Sequence, residues 1–510
     1  MEVGFGRADI TFFERGMPML GWGSPHNVAL GVEAPLYARA LAVRSGGRAA
    51  VYVCADLCFI AAGLRVAVEE ALAGRVHPAD LLLTATHTHS GPAGYSHAFF
   101  YDLSGPGFSR RVFEGLRDGI VRAATDALDA LAPARLTLRS GFVPGAEPIA
   151  FNRSPGAHRR NPDAAGEDVD REMLVLDTGR GVLSFFALHA TSVHGDGTRI
   201  HPDHKGLACE AYEAARGVPA IFAQGAAGDV SPNFRASSAR GVTVGRYDDD
   251  LDSAAYVGRV QARAAAAITE RDGVALDGPV GGALRRVDLE RTPTARGRTT
   301  IGRLGLAMAG GTAEGPGPLA ALAPLVRLAP RKAPLLEIGP GRRRRLFGLI
   351  DPTRVALDHP AFEHARRVAA AGGLDGQPWI PTVLPVQLWR VGAFCVAALP
   401  NEPTVMVGRR LRARLERILA PLGVRRVHVQ GYANAYAGYL TTPEEYAAQR
   451  YEGAYTLFGP RTYDAFAETL DALAPALAAD APHESGPPLP RCDDAQLAAR
   501  AWTGPEPQSS

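Results

Sequence analysis

The sequence is short of cysteine, of net charge and of long apolar runs, and each shortage removes a class of protein. Five cysteines (Cys54, Cys58, Cys209, Cys395 and Cys492) are scattered through 510 residues. An odd number without closely spaced pairs makes neither a disulfide framework nor a cysteine zinc ribbon, so a reducing compartment is the default. Lys and Arg number 55 against 53 Asp and Glu, a formal charge of +2. No global field therefore draws the chain to nucleic acid. No apolar run is long enough to span a bilayer. The opening Met1-Glu-Val-Gly-Phe-Gly-Arg-Ala-Asp-Ile10 lacks a basic start leading into an apolar core, so no signal peptide is read there and a cytoplasmic location is expected. At 46% hydrophobic and 21% charged, the remainder is ordinary for a soluble globular chain, of two or three domains or one large α/β enzyme domain.

What is present is a series of apolar strands that end in chemistry. Leu81-Leu-Leu-Thr-Ala-Thr-His-Thr-His-Ser-Gly-Pro92 reads as a buried strand stopped by Gly91-Pro92. His87 and His89 sit where it runs out. If they are still extended, residues two apart project to one face and two imidazoles point together. That is a metal-site geometry; the alternative is one core histidine and one solvated one. Gly181 to His189 is a second apolar strand ending in a histidine. Pro219 to Gln224 is a third, followed by Gly225-Ala-Ala-Gly-Asp-Val-Ser-Pro-Asn233. Ser231 there lacks the GxSxG elbow, and an ordinary turn serine is its plain alternative. A strand pair from Val383 to Leu399 ends at Pro400-Asn-Glu-Pro403, before a basic helix Thr404 to Leu419. Glu402 is either favourable charge at a helix start or a ligand carboxylate. Val427 to Gln430 precedes a tyrosine-rich loop reaching Tyr439. In α/β sheets ligands gather beyond the carboxyl ends of strands, so these loops are expected to meet in one cleft. Two histidines and a carboxylate there make a catalytic zinc set with an open position.

Between these lie a hairpin over Ala40 to Val53, helices near Gly63 to Ala73 and Ser109 to Leu131, and a strand from Ala134 to Phe142. Arg153 stands in a polar loop, as a solvated charge or, if drawn into a cleft, as a carbonyl holder. Arg285 to Arg345 is rich in Gly, Pro and Arg. Its Arg342-Arg-Arg-Arg345 run beside Leu346-Phe-Gly-Leu-Ile350 is a solvated face or a peripheral contact with an anionic membrane surface. Helices are read at Pro443 to Arg450 and again up to Ala479, and residues 480–510 as a Pro- and Ser-bearing tail. No internal repeat is evident.

The ordered set Gly6-Arg-Ala-Asp-Ile-Thr11, Ala85-Thr-His-Thr-His-Ser-Gly-Pro92, Asn152-Arg-Ser154, His189-Ala-Thr-Ser192 and Gly228-Asp-Val-Ser-Pro-Asn233 continues with Gly311-Thr-Ala-Glu-Gly-Pro-Gly317, Gly408-Arg-Arg-Leu-Arg412, Tyr439-Leu-Thr-Thr-Pro-Glu-Glu-Tyr446 and Tyr451-Glu-Gly-Ala454. With these stretches the sequence resembles the neutral, non-lysosomal ceramidases, zinc amidases that cleave the N-acyl bond of ceramide. The resemblance implies an α/β catalytic domain of mixed sheets flanked by helices over residues 1–479, without the C-terminal β-sandwich domain that many members carry. It implies Zn2+ held by His87, His189, Glu402 and Tyr439, with His89, Arg153, Ser231 and Tyr451 around the scissile amide. Tyr439 is singled out by this comparison alone, since a phenol titrating near about 10 is a rare ligand.

The chemistry so implied is attack by a metal-activated water, an oxyanion steadied by Arg153 or Tyr451, and protonation of the leaving amine by His89. Ser231 either positions the amide or attacks it. Beside ceramide, the substrate alternatives are other N-acyl compounds: an acylated amino acid, an amino sugar or a secondary metabolite. A binding protein without catalysis would be expected to have a broken ligand set, and this one is complete.

Overall fold

The structure is a computed structural model that describes residues 1–24, 26–103, 105, 107–317, 334–338, 344–346, 349–356, 359–374, 379–478 and 481–502. Three mixed five-stranded sheets carry it. The first runs Leu81–Ala85, Arg48–Ala55, Tyr37–Ser45, Glu2–Asp9, Ala132–Pro133. The second runs Ala220–Ala223, Val182–Phe185, Glu172–Asp177, Leu136–Phe142, Val274–Leu276. The third runs Arg426–Gln430, Phe394–Ala398, Val383–Val391, Val280–Asp288, His483–Ser485.

Each sheet starts from the same unit. An antiparallel hairpin is followed by a helix, and the chain then returns as an edge strand parallel to the hairpin's second strand. The crossover helices are Ala62–Ala71, Asp203–Arg216 and Val405–Leu419. The sequence shows no repeat because what recurs is topology, carried by different side chains.

Strand periodicity assigns the faces. In Arg48–Ala55, residues Ala50, Tyr52 and Cys54 enter a central core, while Val51, Val53 and Ala55 face the helix side. In Phe394–Ala398 the central face carries Phe394, Val396 and Ala398, with Cys395 and Ala397 on the other. The central core draws on all three sheets, from Val3 and Tyr52 through Phe185 and Ile221 to Trp389 and Val396. Strands buried on both faces explain the continuous apolar runs of the sequence. Two hydrogen bonds lock the sheets together: Tyr52 Oη donates to Gln430 Oε1 (2.9 Å), and His428 Nε2 to the Gln224 carbonyl (2.9 Å).

Mixed sheets flanked by helices are the expected class, and two long helices were not anticipated. Asp203–Arg216 opens with Asp203, His204 and Lys205, all buried, so polar residues occupy the face where an apolar stripe would be sought. Asp250–Thr269 buries small and polar residues, such as Ser253, Ala254, Gly258 and Gln261, beside Val257, Val260 and Ile268, which marks a helical period weakly. All five cysteines are free and buried. Among the described residues no helix is long and apolar enough to cross a membrane. Of the Arg342–Arg345 run and the apolar stretch after it, residues 342, 343, 347 and 348 lie outside the described residues, while Arg344–Leu346 forms a short strand and Leu349 and Ile350 are exposed.

The segment expected as a tail is held to the body over residues 481–502. His483–Ser485 adds a strand beside Val280–Asp288, and Leu489, Cys492 and Leu497 are buried. Arg500 Nη2 meets Asp102 Oδ2 at 2.7 Å with both side chains 1% exposed. Removing one partner strands the other charge in the interior. Arg500→Ala is therefore expected to cost about 3–5 kcal/mol in urea unfolding, and a midpoint equal to that of the wild type would contradict this.

Candidate active site

The strand ends of the three units converge. Strand Leu81–Ala85 delivers His87 and His89, but not by extended alternation: His87 has φ +68°, in the left-handed region. An aromatic residue held there stores strain of about 1–3 kcal/mol. The turn is pinned by His87 N–H to Leu57 O (2.9 Å) and Thr86 N–H to Ala55 O (2.9 Å). His189 follows Val182–Phe185, its N–H on Val230 O (3.0 Å). Glu402 follows Phe394–Ala398 and pairs in a short parallel ladder with Tyr439. That ladder brings together two residues 37 apart in sequence, which no local pattern reveals.

His87 Nδ1 lies 2.6 Å from the Cys58 carbonyl and His189 Nδ1 lies 3.0 Å from the Ala227 carbonyl. A carbonyl only accepts, so each Nδ1 carries the proton and each Nε2 presents a lone pair inward. The two Nε2 atoms are 3.1 Å apart, and Glu402 Oε2 is 3.3 Å from one and 3.4 Å from the other. Three such atoms in an almost equilateral triangle form a group that could hold a metal ion. Ligand atoms bound to a zinc ion at about 2.0–2.1 Å stand roughly this far apart, so the donor set fits Zn2+. Without a metal a proton takes the place. Burial pulls His87 down, but the Glu402 charge and Cys58 outweigh it and raise His87 to about 10. Burial would raise Glu402; the His87 charge and hydrogen bonds from His87 and Tyr436 hold it below its ordinary value.

Two phenols orient that carboxylate: Tyr436 Oη donates to Oε1, and Tyr432 Oη lies 3.4 Å from Oε2. Tyr439, the expected fourth ligand, stacks on the His189 ring at 6.5 Å and accepts from Arg153 Nη2 at 2.7 Å. Burial, against the pull of Arg153, keeps its phenol well above the ordinary range.

The four residues expected around the amide are adjacent. His89 Nε2 is 3.1 Å from His87 Nε2, its Nδ1 has no partner, and the Trp22 ring meets it edge-on at 5.2 Å. Burial, then the charges of His87 and Arg153, hold it well below its ordinary pKa. Arg153 places Nε on Glu452 Oε1 (3.0 Å), Nη1 on Glu314 Oε1 (2.6 Å), and Nη2 on both Gly228 O (2.8 Å) and Tyr439 Oη. The Arg153 guanidinium carbon also sits 5.6 Å from the Tyr451 ring centre. Ser231 is fully buried; Phe151–Asn152 pairs with Val230–Ser231 and so sets Arg153 beside it.

Sequence reasoning assigned no role to Glu314, Tyr432 or Tyr436. Glu314 comes from 83 residues beyond Ser231, and its one signal was membership of the Gly311–Gly317 stretch. Behind the site, Asp229 accepts from Val405 N–H (2.8 Å) and Asn152 Nδ2 (2.7 Å), while Glu445 accepts from Thr404 Oγ1 (2.6 Å) and Thr442 N–H (3.0 Å). These buried carboxyls stitch together the loops that carry Arg153, Ser231, Glu402 and Tyr439. Burial, reinforced for Asp229 by the Glu445 charge, pushes both upward.

Residues 1–468 match the family profile described as neutral/alkaline non-lysosomal ceramidase, N-terminal. A neutral ceramidase of Pseudomonas aeruginosa is 34% identical over 97% of this chain and 75% of its own length. Neutral ceramidase B of Dictyostelium discoideum is 29% identical over 95% of this chain and 73% of its own. A solved structure of a ceramidase complexed with C2 superposes with a TM-score of 0.81 at 33% identity, covering 96% of this chain and 77% of that one.

The acceptor triangle makes a direct prediction. Metal-stripped protein titrated with Zn2+ in a calorimeter is expected to bind one equivalent tightly, and His189→Ala to lose at least about tenfold in affinity. Equal binding by wild type and variant would remove the triangle as the metal site.

Proposed function

The chain belongs to the neutral/alkaline non-lysosomal ceramidase family, and on that premise we propose that it hydrolyses the N-acyl amide bond of ceramide or a ceramide-like lipid with the help of Zn2+. The observation that carries the metal part is the triangle of three inward-facing acceptors. His87, His189 and Glu402 would hold the ion, with Tyr439 beside them as the fourth group. The bound ion supplies a Lewis acid that polarises the amide carbonyl and acidifies a water molecule.

The remaining chemistry falls to the chain's own groups. His89, whose Nε2 lies 3.1 Å from His87 Nε2, takes the proton of the attacking water and returns it to the amide nitrogen, because an amine anion is not a competent leaving group. Arg153 makes four hydrogen bonds within the site, from a guanidinium with five N–H groups in all. Its part is therefore to hold Tyr439, Glu314 and Glu452 in place and to set a positive field, more than to grip the substrate. Tyr451, whose phenol burial keeps protonated, is the donor for the developing oxyanion.

The test is turnover of a panel of N-acyl compounds, fluorescent ceramide among them, by zinc-loaded and chelator-stripped protein. Ceramide hydrolysis is expected to disappear on stripping and return with Zn2+. Metal-dependent cleavage of short acyl amides but not ceramide would replace the substrate. Hydrolysis unaffected by chelation would overturn the metal.

A further inference from the structure

Ser231 is fully buried in the site, and its surroundings define what it offers a substrate. Its Oγ–H donates in a short hydrogen bond to Glu314 Oε2. That bond takes up the hydroxyl hydrogen, with Glu314 Oε2 as the acceptor. The Asn233 N–H donates to Ser231 Oγ at 3.0 Å and takes one of its two lone pairs. One lone pair is left.

Glu314 is itself held in every direction. Arg153 Nη1 donates to Oε1 (2.6 Å), and Asn233 Nδ2 (3.0 Å) and Thr191 Oγ1 (3.2 Å) donate to Oε2. The Glu314 side chain is 1% exposed and that of Arg153 4%. A buried carboxylate with a guanidinium against it and three further donors cannot turn away from Ser231.

We propose that Glu314 is a positioning residue that locks the Ser231 hydroxyl as a hydrogen-bond acceptor toward the substrate. Ser231 then receives a donor of the substrate, either the amide N–H or a hydroxyl near it, and it gives no hydrogen bond to the carbonyl oxygen and does not attack the carbonyl carbon. The proposal rests on the amidase reading above. A Gln at position 314 presents an amide that donates as well as accepts, so Glu314→Gln permits the serine hydroxyl to reverse with little change in shape.

The experiment is a double-mutant cycle of wild type, E314Q, S231A and E314Q/S231A, run on whichever N-acyl amide the zinc-loaded wild type cleaves. Each single change is expected to lower kcat/KM by about 10- to 100-fold, the range for a hydrogen bond to a charged group. The double variant is expected to fall no more than about threefold below S231A, since without the serine hydroxyl Glu314 keeps only its part in holding Arg153, Asn233 and Thr191, which a Gln also accepts from. A purely structural role for Glu314 makes the two losses multiply, and that result overturns the proposal. Trapping an acyl group on Ser231 of the wild type by mass spectrometry overturns it as well, because the hydroxyl would then be a nucleophile.

Failure of the substrate reading is separable. If the wild type cleaves no N-acyl amide, the same four proteins are unfolded in urea. Non-additive midpoints support the Ser231–Glu314 lock independently of turnover, and additive ones remove it.

Discussion

Three lone pairs aimed at one point are the constraint on which this structure depends. His87 Nε2, His189 Nε2 and Glu402 Oε2 approach within 3.1–3.4 Å of one another, a contact that is repulsive until a cation enters it. Backbone carbonyls of Cys58 and Ala227 fix the two imidazole tautomers, and Tyr436 and Tyr432 aim the carboxylate. Their work is to keep the rings and the carboxylate from rotating apart, which would hold them ready for the proposed ion. The strain is local: His87, Tyr432 and Asn434 all lie at positive φ in the turns around the site.

The scaffold answers that constraint by repetition. Each hairpin–helix–strand unit ends two parallel strands on the same side, and the turns after those ends bring Cys58 with His87, His189 with Ser231, and Glu402 with Tyr439. A central core assembled from all three sheets holds the units together, so the distances at the site are set by packed strands and not by loops alone. The tyrosine-rich loop is anchored in turn by Asn434, which accepts from Arg65 (2.5 Å) and Leu83 N–H (3.1 Å) and donates to Gln387 (2.6 Å).

The strands and the residues at their ends were legible in the sequence because strands buried on both faces leave unbroken apolar runs. From Leu81–Ala85, Val182–Phe185 and Phe394–Ala398, the positions of His87, His189 and Glu402 follow directly. The geometry at His87 was not legible, since a left-handed turn joins the two histidines where simple alternation was expected. Tyr439 was reached only by resemblance; its pairing with Glu402 is a long-range contact without a local signature. The helix at Asp203 was hidden by its buried polar face, where Lys205 donates to the carbonyls of Phe186 (2.7 Å) and Ala223 (3.1 Å). Glu314 was invisible for a related reason: an isolated acid in a glycine-rich stretch reads as a surface charge until Arg153 and Ser231 are seen against it.

The most direct measurement is X-ray absorption at the zinc edge of the zinc-loaded protein, because it reports the atoms around the ion without reference to substrate. The account predicts two imidazole nitrogens at about 2.0–2.1 Å with the remaining ligands oxygen, and the loss of one imidazole contribution in His189→Ala. A spectrum showing sulfur from Cys58, or a zinc environment unchanged by that substitution, would contradict the claim that the three converging acceptors are the metal centre.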